Sequence, residues 1–163
     1  MCERVSAILA SSWIGFRSQK SVLMVMEWHT LWAGQSMSVS HACTTNHRVL
    51  RFDARHLCTL EEMQSVIDVA VAYFSNLGSG EGAYVFTVVA DGLEMPSLQH
   101  FALAVRTMIA CKRLIHSHVC GTVILTTDST VAVVLRLVKT MYTFQRPVCL
   151  FRSMAECERV LHT

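Results

Sequence analysis

Charge is scarce in this sequence. Asp, Glu, Lys and Arg make up 16% of its 163 residues, where an ordinary globular domain has roughly a quarter. Apolar residues make up 52%. That balance excludes a disordered chain, which is poor in apolar residues and rich in net charge. The net charge is only +2, and no stretch interleaves dense Lys or Arg with aromatics. The charge pattern therefore gives no reason to expect nucleic acid as a partner.

Other absences narrow the field further. No run of about 18 uninterrupted apolar residues occurs, so no integral membrane segment is expected. The seven cysteines (Cys2, Cys43, Cys58, Cys111, Cys120, Cys149 and Cys157) are odd in number, and none is spaced as CxxC. Several sit inside apolar patterns, where Cys acts as a small hydrophobe. This argues against a disulfide framework or a zinc site, and for a reducing, cytoplasmic compartment. Residues 1–20 show no clear period. Val5 to Phe16 is moderately apolar between Arg4 and Arg17, so a signal peptide, a transit peptide and a poorly ordered leader all stay open. Residues 21–163 have the length of a single α/β domain.

What is present is an alternation of strand and helix patterns. Tyr84 to Ala90 (YVFTVVA) is apolar on both faces, as expected of a strand at the centre of a covered sheet. Ser21 to Trp32 is apolar enough for a strand, Ala33 to Thr45 has the small and polar residues of a loop, and His47 to Ala54 alternates like a half-covered strand. Thr59-Leu60-Glu61-Glu62 is a capping box opening a helix with Met63, Val66, Ile67, Ala70, Val71 and Phe74 on one face. A long helical stripe runs from Leu98 to about His118. Thr122 to Thr126 is a short strand, and Asp128-Ser129-Thr130 supplies capping oxygens for a helix with Val131, Val134, Leu135 and Val138. Val148 to Phe151 is a further strand, and Ser153 with Glu156 opens a last helix through Leu161. The expected fold is α/β: a single-layer sheet of four to five strands, mostly parallel or mixed, covered by about four helices.

Chemistry-bearing motifs are few. Gly78-Ser79-Gly80-Glu81-Gly82 follows a helix and precedes a strand, the reverse of a phosphate-binding loop, so it is a connection. His116 and His118, at i and i+2, face apart on a helix and make a poor metal pair. No GxSxG elbow occurs, and Glu61, Glu62 and Glu156 have capping or first-turn places. No catalytic residue, metal or cofactor is expected. The junction of Asp91, Gly92 and Ser97 remains. It joins the carboxyl end of the central strand to a helix start, where open α/β sheets place ligands and regulatory groups. A phosphoryl group on Ser97 would meet free N–H groups and the positive end of the helix dipole.

Over residues 45–162 the pattern resembles a STAS domain, the SpoIIAA-like fold of anti-sigma-factor antagonists. The resemblance is carried by RVLRFDARHLCTLEEM, by VVADGLEMPSLQHFALAVRTMI, by GTVILTT, by RPVCLF and by the final Ser-Met-Ala-Glu helix start. The family has Asp-Ser at the helix start; here Met95 and Pro96 precede Ser97, so the Asp is missing. The resemblance implies a non-enzymatic, regulatory module that binds another protein near Asp91, Gly92 and Ser97. It also implies a mixed sheet with an antiparallel first strand, whereas a fully parallel sheet would fit a flavodoxin-like three-layer sandwich. A small-molecule or lipid-binding domain of the related CRAL-TRIO-like fold, with an apolar small ligand, is the alternative; an α/β enzyme ranks below it.

Overall fold

Three parallel steps follow an antiparallel start. The computed structural model describes residues 27–43, 48–141, 143–144, 146–153 and 155–156. Strands β1 (His29–Ala33), β2 (Met37–Cys43) and β3 (Arg48–Ala54) pair antiparallel in succession. Then come α1 (Leu60–Ser75), β4 (Ala83–Val89), α2 (Leu98–Ala110), α3 (Lys112–His118), β5 (Val119–Leu125), α4 (Ser129–Met141) and β6 (Val148–Phe151). From β3 to β6 each strand pairs in parallel with the next. The result is one mixed six-stranded sheet whose spatial order is its sequence order.

That order decides the layers. Right-handed crossovers that always advance the same way deliver their helices to one face. On that face Val39, Leu50, Ala83 and Val119 of the sheet pack with Val66 and Phe74 of α1, and Leu114 and Ile115 of α3 join them. On the other face Ala42, Val49, Phe86, Val123 and Phe151 form a second apolar cluster with Trp28 against it. Among the described residues no helix belongs to that second cluster. A flavodoxin-like sandwich needs the strand order to reverse so that helices reach both faces, so that alternative is corrected.

Local chemistry fixes the elements. The Thr59 hydroxyl accepts the Glu62 N–H (3.1 Å), and the Glu62 carboxylate accepts the Thr59 N–H (3.4 Å), completing the capping box. The same carboxylate accepts the N–H groups of Gln35 (2.8 Å) and Ser36 (3.1 Å) in the β1–β2 turn. These bonds, the Ser36 one foremost, hold its carboxyl below the usual carboxylate range. A Cβ at Gly34 would collide with the Trp32 ring and this carboxylate, so a side chain there would displace one or both of them. In the Gly78–Gly82 connection, Glu81 accepts the Gly78 N–H and pairs with Arg48 at 2.7 Å.

Several expected boundaries are corrected. The expected α/β class with a mixed sheet holds, and among the described residues that sheet has six strands where four to five were expected. The loop expected over residues 33–45 is corrected where it is described: β2 occupies Met37–Cys43, because pairing with β1 and β3 orders a Ser-bearing segment in which only Val39 and Ala42 are fully buried, and residues 44–45 lie outside the described residues. The helix expected from Leu98 to His118 breaks at Cys111 into α2 and α3, and the break brings Leu114 and Ile115 onto the helix-side cluster. Gly121 is not a turn but lies within β5, opposite Tyr84, where the register shifts. Ser153 caps Glu156 (3.1 Å), but the Glu156 carboxylate accepts the Arg152 N–H rather than that of Ser153, so the second box is incomplete. The expected leader 1–20, residues 21–26 of the first expected strand, His47 and the end of the last helix lie outside the described residues.

Candidate functional site at the carboxyl end of the sheet

Asp91 and Gly92 leave β4 in a turn that admits little but glycine at its second position. Gly92 has φ +78°, in the left-handed region. The turn is tied to the β5–α4 loop. The Thr127 hydroxyl donates to Asp91 Oδ1. Asp128 Oδ2 accepts the N–H groups of Gly92 (3.1 Å) and Leu93 (3.0 Å), while its Oδ1 accepts that of Thr130 (2.8 Å) at the start of α4. The Thr130 bond chiefly, with those from Leu93 and Gly92, holds the Asp128 carboxyl below its usual range. The backbone donors that would receive an anion after β4 are therefore already filled by a carboxylate of the same chain.

Ser97 has the extended N-cap backbone of α2 (φ −71°, ψ 164°), yet its side chain makes no capping bond. Its Oγ lies 2.8 Å from Nδ1 of His100, and Nε2 of His100 lies 2.8 Å from the Cys58 carbonyl oxygen. A carbonyl can only accept, so Nε2 carries the proton. In the neutral ring Nδ1 then accepts, and the Ser97 hydroxyl donates to it. His100 thus joins the start of α2 to the residue that precedes the N-cap of α1.

Ser97 is exposed and stands among apolar neighbours that are exposed too: Met95 is 52% and Leu98 is 86% accessible. Pro96, His100 and Phe101 face an apolar groove of about 270 Å³ shared with Met63, Ile67 and Val134. The structure therefore brings Asp91 and Gly92 together with Thr127 and Asp128, and Ser97 together with His100 and Cys58. Among the described residues no hydrogen bond joins the two groups.

Sequence reasoning missed His100, Cys58 and the long-range role of Asp128. Asp128 showed only its capping signal, and its partners lie 35 and 36 residues away. The signal for His100 was its place three residues after Ser97, the position where a capping box carries Glu or Gln. Among the described residues no three His, Cys, Asp or Glu side chains converge on a metal position. His118 instead has Nδ1 2.8 Å from the Glu81 carbonyl. Among those residues, too, no helix is long and apolar enough to cross a membrane, and Cys43, Cys58, Cys111 and Cys120 form no disulfide. No family model, no curated protein and no solved structure matches this chain.

Proposed function

We propose that this chain is a non-enzymatic, STAS-like module that binds another protein through the Asp91–Leu98 end of its sheet, with Ser97 as its control point. One observation carries the reading. The hydroxyl at the start of α2 is not used for the helix, and it stands exposed beside Met95 and Leu98. Large apolar side chains displayed around a polar residue on a well-ordered loop are what a partner surface needs. Asp128 accepts the N–H groups of Gly92 and Leu93 where this segment begins, and a restraint of that kind lowers the entropy lost on docking.

The control point follows from the same geometry. A phosphoryl group on Ser97 would add nearly two negative charges at the first turn of α2, where the dipole and uncapped N–H groups favour them. It would also end the present hydroxyl-to-His100 contact and set charge between Met95 and Leu98.

Affinity capture with the full chain, followed by calorimetry on the partner obtained, tests both parts. Leu98→Asp and Met95→Asp are expected to lose that partner, and Ser79→Asp, in the connection before β4, to keep it. Retention by all three variants would remove the assigned surface. Unchanged affinity in Ser97→Asp would remove the control point and leave the surface standing.

A further inference from the structure

α2 packs between α1 and α4. α1 buries Val66 and Phe74, and α4 buries Val131 and Val138, but none of the 13 residues of α2 is fully buried. Phe101, Ala104 and Met108 turn toward apolar spaces beneath the helix. A second apolar stripe, Leu98, Ala102, Val105 and Ile109, lies outside them. Leu98 is 86% and Ile109 60% accessible, Ala102 is exposed and Val105 half-buried.

The stripe advances by four, three and four residues, the spacing of a coiled-coil seam. That spacing is the same read in either direction. About a two-fold axis the stripe therefore meets itself end for end, with Leu98 opposite Ile109 and Ala102 opposite Val105. A contact of this kind, in which residue i meets j and j meets i, is what a symmetric dimer needs. Ala102 is small, so two such helices can approach closely.

The charges around the stripe have the same symmetry. The exposed acids Glu61, Asp91 and Glu94 stand at the end where α1 and α2 begin. The exposed bases Arg106, Lys112 and Arg113 stand toward the end where α2 gives way to α3. Asp68, midway along α1, accepts from Gln64 at 2.8 Å. Glu94, Arg106, Lys112 and Arg113 form no ion pair among the described residues. Two copies laid in the same direction would set like charges together, whereas two laid antiparallel set acids against bases.

We propose that the outer face of α2 is where two copies of this chain associate, antiparallel, with Leu98 of each copy against Ile109 of the other and the Glu94 end of one beside the Arg113 end of the other. The dimer is weak and reversible, because one helix face buries less than a permanent interface. It shares Leu98 with the partner surface proposed above, so self-association and partner binding compete; Ile109 lies outside that surface and separates the two.

Sedimentation velocity of the full chain over a micromolar to submillimolar loading series tests it. A reversible monomer–dimer equilibrium is expected, weakening as salt is raised. Ile109→Asp should weaken the dimer at least tenfold, about the effect of losing an interface anchor, and leave the partner of the Met95 and Leu98 surface bound. Ala102→Arg, which blocks the close approach, should do the same to the dimer if Ile109→Asp does not fold. Glu94→Arg and Arg113→Glu should each weaken it about tenfold, since each change repeats at two symmetric contacts, and the double exchange should restore it. A wild-type chain that stays monomeric throughout, a dimer undiminished in folded Ile109→Asp or Ala102→Arg, or a double exchange no better than its single changes would each overturn the proposal. So would a monomeric chain that loses a captured partner through Ile109→Asp, which would give the face to that partner.

Discussion

The starts of α1 and α2 are nearly the same piece of chain put to different use. One reads Thr59-Leu60-Glu61-Glu62 and the other Ser97-Leu98-Gln99-His100. Their N-cap backbones almost coincide, at φ −66°, ψ 163° and φ −71°, ψ 164°. At α1 the hydroxyl turns inward and accepts from the helix; at α2 it turns to the histidine. The residue three positions on accounts for the difference. A glutamate carboxylate can only accept, so it takes the N-cap N–H and leaves the hydroxyl to the helix. A neutral imidazole whose Nε2–H is committed to Cys58 offers an acceptor at Nδ1, and that draws the hydroxyl away. The leucines diverge as well: Leu60 is half-buried, whereas Leu98 is almost fully exposed. One start is spent on stability, and the other keeps its side chains outward.

The largest test of this contrast is Leu98→Asp. It is expected to weaken partner binding by at least tenfold, as removal of an interface anchor does, while unfolding free energy stays within about 0.5 kcal/mol of wild type. Leu60→Asp at the matching position should instead lower stability. Calorimetry and urea titration of both variants read the two outcomes. Next in size is the cap itself. Thr59→Ala should cost about 1 kcal/mol in urea unfolding, but Ser97→Ala should stay within about 0.5 kcal/mol, because its hydroxyl caps nothing. An equal loss in both would erase the distinction. His100→Ala should cost about 1 kcal/mol through the lost bond to the Cys58 carbonyl, so histidine and not serine would hold the start of α2 in place.

The smallest effect is in pH. The carboxyls of Glu62 and Asp128 titrate lower in the folded chain than in the unfolded one. Their stabilisation is complete above the ordinary carboxylate range and is lost as pH falls through the folded values. Urea midpoints across an acid series should therefore fall less steeply in Glu62→Gln than in wild type, and the Ser97→Ala series should run parallel to wild type.

The sequence displayed the elements whose signal is local. The capping box at Thr59, the apolar run of β4 and the capping oxygens of Asp128 all act within a few residues, and each forms as read. β2 was illegible because its pairing with two neighbours, not its composition, makes it a strand. The break at Cys111 carries no proline or glycine; it depends on where Leu114 and Ile115 must pack. At the candidate site Asp91, Gly92 and Ser97 were visible as a junction. Their separation into two bonded groups depends on Asp128, His100 and Cys58. Those contacts span between 35 and 42 residues, except the one from Ser97 to His100.

The strand order has a consequence for how the molecule is made. Because the sheet runs β1 to β6 as the chain does, no strand waits for a later one to fill a gap between earlier partners. Each strand emerging in synthesis meets an edge already complete, and from β4 onward a crossover helix precedes the strand that joins that edge. Pairing of successive elements keeps the loops that must close short, which favours rapid formation. The growing sheet carries one open edge forward at each stage, and the chain itself supplies the next strand to cover it.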